Sequence, residues 1–166
     1  MKKILFLPVM LLFVVVGALA QEKKLSPPAK VEGKVDNVTI KIDYYQPSAR
    51  GRQIMGGLVP YGEVWRTGAN NSTSVEFSGP VKIEGKDLPK GKYALFTIPN
   101  ENEWVIIFNK TLAWGAYQYK QEEDVLRVTV KPTKTANFVE TFTISLDGSN
   151  VKLEWENTAV SFKVKG

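Results

Sequence analysis

From Val38 to Tyr44 apolar and polar residues alternate strictly, which puts Val38, Ile40, Ile42 and Tyr44 on one face and predicts a half-buried strand. A first strand is expected just before it, near Ala29 to Val35, and Pro47 ends the pattern because proline removes a ladder donor. Short strands follow at Thr73 to Phe77 and Val81 to Ile83, then a turn at Leu88-Pro89-Lys90-Gly91. Lys92 to Ile98 is apolar on both faces, Tyr93, Leu95 and Thr97 against Ala94, Phe96 and Ile98, so it reads as a central strand covered on both sides. The polar loop Asn100 to Glu103 leads into Trp104 to Phe108, a second continuous apolar run. Alternation returns at Asp124 to Lys131 and at Phe138 to Leu146, where Phe138, Phe142, Ile144 and Leu146 share parity. Asp147-Gly148-Ser149-Asn150 is a hairpin signal. Beyond it Val151, Leu153 and Trp155 face inward on one strand, and Val160, Phe162 and Val164 on the last. About nine or ten short strands with no amphipathic helix predict an all-β chain, a single antiparallel β-sandwich or jelly-roll-like domain.

One stretch, Arg50 to Thr73, lacks this alternation and is dense in glycine, arginine, aromatics and amides. A long irregular segment in a small domain is usually functional or disordered, and this composition suits a packed, functional one. Its glycines make no phosphate-binding P-loop, because no Gly-Lys-Ser/Thr follows and no strand–helix context surrounds them. Pro60-Tyr61-Gly62 reads as a turn and Val64 to Thr67 as a brief strand. Arg50, Arg52 and Arg66 offer planar donor forks to carboxylates or phosphates. Thr67, Asn70 and Asn71 add short polar groups, and Tyr61 and Trp65 add flat apolar faces. That mixture is what a pocket for a small polar, anionic or glycan-like ligand uses. The competing expectation makes Trp65 a core residue and Arg66 an ion-pair member with Glu154 or Glu156.

Two other places carry candidate chemistry. Glu154 and Glu156 flank Trp155, and alternation puts both on the face opposite it, where paired carboxylates would do acid–base work if they met in a concave site. Ordinary outward-facing strand charges explain them with fewer assumptions, because alternation alone predicts them. In the ambiguous segment Thr111 to Gln121, read as a loop with one turn of helix, Trp114 and Tyr117 form either an exposed stacking platform or a buried plug. Asp124 and Arg127 are expected to pair locally.

Composition narrows these readings. The chain of 166 residues has no histidine and no cysteine. Without histidine there is no Ser-His or Cys-His nucleophile system and no histidine-bound metal, so no cofactor or metal is expected and the balance leans away from an enzyme. Without cysteine, packing and strand pairing carry stability. Residues 1–20 read as a signal peptide: Lys2 and Lys3, an apolar run from Ile4 to Val16, and Ala18-Leu19-Ala20 before the cleavage point. Cleavage after Ala20 would leave a periplasmic or secreted product without transmembrane anchoring. A flexible segment, 21–28, would then lead into one domain, 29–166. Removing Lys2 and Lys3 lowers the formal charge from +5 to +3. That surplus is spread over many lysines, so no nucleic-acid partner is expected.

The runs Gly51-Arg52, Leu58-Val59-Pro60-Tyr61-Gly62, Val64-Trp65-Arg66-Thr67-Gly68-Ala69-Asn70, Leu88-Pro89-Lys90-Gly91-Lys92-Tyr93-Ala94-Leu95-Phe96 and Trp155-Glu156-Asn157 resemble the bacterial exported domain-of-unknown-function family numbered 2911. The resemblance spans nearly all of the expected mature chain. It implies a bacterial envelope or secreted setting, a single domain, and membership of positions 60–70 and 155–157 in a family signature. It brings no catalytic roles.

The expectation is therefore an exported β-sandwich binding a small polar, anionic or glycan-like ligand. The candidate residues are Arg66, Trp65, Tyr61, Thr67, Asn70, Arg52, Glu156, Trp114 and Tyr117. The alternatives are a carboxylate-based hydrolase using Glu154 or Glu156, and a structural or partner-binding envelope component. The residues leave the oligomeric state open.

Overall fold

A computed structural model describes residues 26–112 and 114–166; the expected signal peptide and residues 21–25 lie outside them. Ten strands follow in order: β1 (Pro28–Val35), β2 (Val38–Tyr45), β3 (Thr73–Phe77), β4 (Val81–Ile83), β5 (Lys86–Leu88), β6 (Gly91–Pro99), β7 (Trp104–Asn109), β8 (Asp124–Val130), β9 (Thr133–Asp147) and β10 (Asn150–Lys165). They make two antiparallel sheets, one in the order β1-β2-β3-β6-β7-β8 and one in the order β5-β4-β10-β9. The chain is an all-β sandwich, as the alternation predicts.

The core lies between the sheets because each strand turns one apolar face inward. Val38, Ile40, Ile42 and Tyr44 of β2 are buried together, as are Val151, Leu153, Trp155, Phe162 and Val164 of β10. β6 is buried on both sides for a further reason. Tyr93 and Leu95 join the main core, while Ala94 and Phe96 form a small outer core with Ile107. Val64, Ala116 and Tyr119 cover that outer patch, so two loop segments shield the face a sandwich would otherwise leave wet.

The structure departs from the sequence pattern in four places. The two terminal strands are one, β10, because a β-bulge at Glu156 absorbs the change of parity that looked like a strand break. Register shifts on either side of Glu156 also move Phe138 out of the inward set, and it is 53% exposed while Phe142 and Ile144 are buried. The turn at Leu88 begins one residue late, since Lys86–Leu88 pairs with β4 as β5. In the segment 111–121 the described residues form a loop, and the helical turn is a short 3₁₀ segment at Gln121–Glu123.

Candidate functional site

The segment between β2 and β3 is held to both sheets. Ala49 N donates to Glu140 O at 2.7 Å and Phe142 N to Pro47 O at 2.8 Å, which fastens its start to β9. Further on, the expected strand at Val64–Thr67 is a single bridge: Trp65 exchanges backbone hydrogen bonds with Thr97 of β6 at 2.8 and 2.9 Å. This places the Trp65 indole between the sheets. It stacks on Trp155 of β10 with centroids 5.7 Å apart and planes at 21°, and meets Phe142 and Trp104 edge-on. Both tryptophans are buried, so the expectation of a core role for Trp65 holds and its face is not open to a ligand.

The next residues are set by unusual backbone. Thr67 and Asn70 both have φ of 57°, a left-handed conformation that asparagine tolerates but a β-branched threonine resists. Buried hydrogen bonds hold Thr67 there. Its hydroxyl lies 3.3 Å from Trp65 O and 3.2 Å from Thr97 Oγ1, and its carbonyl accepts from Thr73 Oγ1 at 2.5 Å. Trp65 Nε1 donates to Gly68 O at 3.2 Å. Thr67 therefore positions its neighbours and is not itself offered to a ligand. The wall formed by Gly68, Ala69 and Asn70 has amide N–H groups that donate no backbone hydrogen bond among the described residues.

That wall faces a cleft of about 490 Å³ at the end of the sandwich. Arg50, Arg52 and Arg66 line it with Ser48, Asn70 and the edges of Trp65 and Trp155, and among the described residues no Asp or Glu lines it. Arg52 is committed to the protein: Nε donates to Ala49 O at 3.0 Å and Nη2 to Ser48 O at 2.8 Å. Arg66 differs. Its Nε is buried without a hydrogen-bond partner, and burial lowers the guanidinium below its ordinary value by stripping water from the charge. The expected ion pair with Glu154 or Glu156 is not formed. Glu154 pairs with Lys152 at 2.7 Å, and Glu156 sits on the bulge with φ of 56°; both glutamates are half-buried on either side of the buried Trp155.

The other candidates fall elsewhere. Tyr61 lines a second cleft of about 340 Å³ with Asn100, Glu101, Lys134, Asn157 and Thr158. Trp114 and Tyr117 form an exposed edge-to-face pair, 59% and 71% accessible, with centroids 6.0 Å apart. They are a surface platform and not a plug. A bridge between Asn71 and Trp114 ties this loop to the end of the arginine segment. The Asp124–Arg127 pair is present at 2.6 Å, and both residues bond the Tyr119 hydroxyl, which fixes the loop over the outer core.

Of the nine candidate residues, four meet at the arginine cleft: Arg52, Trp65, Arg66 and Asn70. Ser48, Gly68, Ala69 and Trp155 join them without having been singled out as ligand contacts. The signal that could have found Trp155 is the Trp-Glu-Asn run, whose tryptophan meets Trp65 while its Asn157 reaches the second cleft beside Tyr61.

Neither a curated protein nor a solved structure matches this chain. A family model does, over residues 26–164, which is nearly the whole described chain. The chain belongs to the family described as protein of unknown function, DUF2911.

Proposed function

We propose that this protein is an exported binding domain that takes a small polar, anionic or glycan-like ligand in the arginine cleft. The observation that carries the reading is Arg66, which among the described residues is a partly buried cation with no carboxylate partner and a buried Nε–H with no acceptor, at the wall of a cleft that no described acidic residue lines. Buried polar groups are normally satisfied, and an unpaired cationic donor at a concave site suits an anionic ligand. The strained Thr67 beside it supports the same reading, since such strain persists where the surroundings hold a site in shape.

The buried faces of Trp65 and Trp155 favour anion recognition over sugar stacking in this cleft. A hydrolase built on Glu154 or Glu156 draws less support, because neither residue lines either cleft described above. The exposed Trp114–Tyr117 pair supports the partner-binding alternative, in which this surface meets another envelope component. The periplasmic or secreted setting and the bacterial origin rest on residues 1–20 and on the family resemblance. Recovery of a product beginning at Gln21 from the periplasm or medium would test the export.

A thermal-shift screen of carboxylates, phosphates, sulfates and neutral sugars tests the binding reading. An anion held at a hundred times its Kd adds about 2.7 kcal/mol, a shift of several degrees. A screen in which no anion moves the melting temperature would overturn it.

A further inference from the structure

Resting on that reading, we infer that the cleft selects a carboxylate on a small hydroxylated body, with the carboxylate seated on the Arg66 fork. The three arginines at the cleft are not equivalent. Two of Arg52's donors are used on Ala49 and Ser48 carbonyls, whereas Arg66 holds an Nε–H that nothing accepts. The Arg66 fork matches one planar, singly charged group, because Nε–H and one Nη–H project in parallel and meet both oxygens of a carboxylate at about 2.7–2.9 Å. A phosphate carries a charge of about −1.5 to −2 on three oxygens and would call on a denser ring of donors. Because Nε is recessed, seating the carboxylate turns that edge of the side chain toward the cleft. The turn exchanges a buried donor without an acceptor for a charge-assisted pair, which is where the binding energy arises.

The rest of the wall identifies the body of the ligand. Ser26 and Asn70 add a side-chain hydroxyl and an amide to the lining, and among the described residues the Gly68, Ala69 and Asn70 backbone N–H groups donate no backbone hydrogen bond. Leu58 and Val59 supply the apolar part of the surface. The volume of about 490 Å³ lies within the range of small-molecule pockets, roughly 300–1,000 Å³, and holds a single hexose-sized ring with room for water. Hydroxyls directed at amide and serine groups orient such a ring without the stacking that the buried tryptophans cannot provide.

The test uses three hexoses that differ at one carbon: glucuronate, glucose 6-phosphate and glucose, titrated calorimetrically into the full chain and into Arg66→Lys and Arg66→Gln. Glucuronate is expected to bind at least tenfold more tightly than the other two. Arg66→Lys, which keeps the charge and loses the fork, is expected to weaken it at least tenfold with an unchanged melting temperature. In wild type the Arg66 Nε–H resonance should shift on adding glucuronate. Stronger binding of glucose 6-phosphate would overturn the carboxylate inference and leave anion binding standing. Glucuronate binding that Arg66→Lys does not weaken would overturn the seat. If none of the three binds while other anions raise the melting temperature, this inference fails alone; if no anion does, the proposed function fails with it.

Discussion

Trp65 and Trp155 stack across the core with centroids 5.7 Å apart, and through that contact the irregular segment after β2 is joined to the middle of β10. The residue that follows Trp65 in sequence is Arg66, so the stack sets the position of the cation. Packing and site are in series here, since the indole is buried so that the guanidinium can sit at the cleft wall.

Trp65→Ala should cost about 3–5 kcal/mol, the usual range for removing a large buried aromatic. Trp155→Ala should cost a similar amount. Because the two rings share one contact, the double variant should lose less than the sum of the singles. Chemical denaturation of the three proteins measures this.

Arg66→Met should behave in the opposite way. It removes a partly buried charge that makes no ion pair, and an Nε–H that finds no acceptor, among the described residues, so the unliganded protein should keep or raise its melting temperature. Anion-induced stabilisation should vanish in the same variant. A large loss of stability would show instead that Arg66 closes a network in the free protein.

Thr67→Val keeps the shape and the β-branch but deletes the hydroxyl that meets Thr97 Oγ1 at 3.2 Å in a fully buried place. The expected loss is about 1–3 kcal/mol, from an uncompensated buried hydroxyl on Thr97. Urea unfolding of wild type and variant gives the difference.

Gly68→Ala should damage the wall itself. Gly68 has φ of 155°, and a Cβ there would lie 3.0 Å from Tyr45 O and 3.1 Å from Thr73 Oγ1. Relief requires backbone movement, so ligand-dependent shifts should fall along with stability, by about 1–3 kcal/mol. Calorimetric melts with and without anion separate the two effects.

Tyr119 predicts an alkaline limit. Burial first, then its hydrogen bond to Asp124, push its phenol up to about 12 from an ordinary value of 10.0. A folded value above the unfolded one means the folded state holds the proton more tightly. The stability this contributes is complete below about pH 10 and is lost as pH rises toward 12. Tyr119→Phe should lose the bonds to Asp124 and Arg127 at neutral pH, yet show a shallower decline between pH 10 and 12. Melting temperatures across that range decide it.

Much of the sandwich was legible because a period of two needs only local sequence. The inward sets of β2 and β10 follow from alternation and the two-sided burial of β6 from its continuous apolar run, and the structure buries them as read. Alternation misleads where a bulge intervenes. At Glu156 a bulge joins what read as two strands, and the register shifts around it leave Phe138 outside.

By itself the sequence determined the all-β class, the strand faces, the family and the identity of the unusual segment, since each depends on residue order over short windows. Tertiary structure alone decided that Trp65 spends its faces on Trp155, Phe142 and Trp104, and that Arg66 meets no carboxylate among the described residues. Those outcomes depend on which distant residues the two sheets bring together, and the contact between positions 65 and 155 has no local signature. An arginine-rich segment became a cation-lined cleft because the packing that buried its tryptophan left Arg66 without a partner among the described residues.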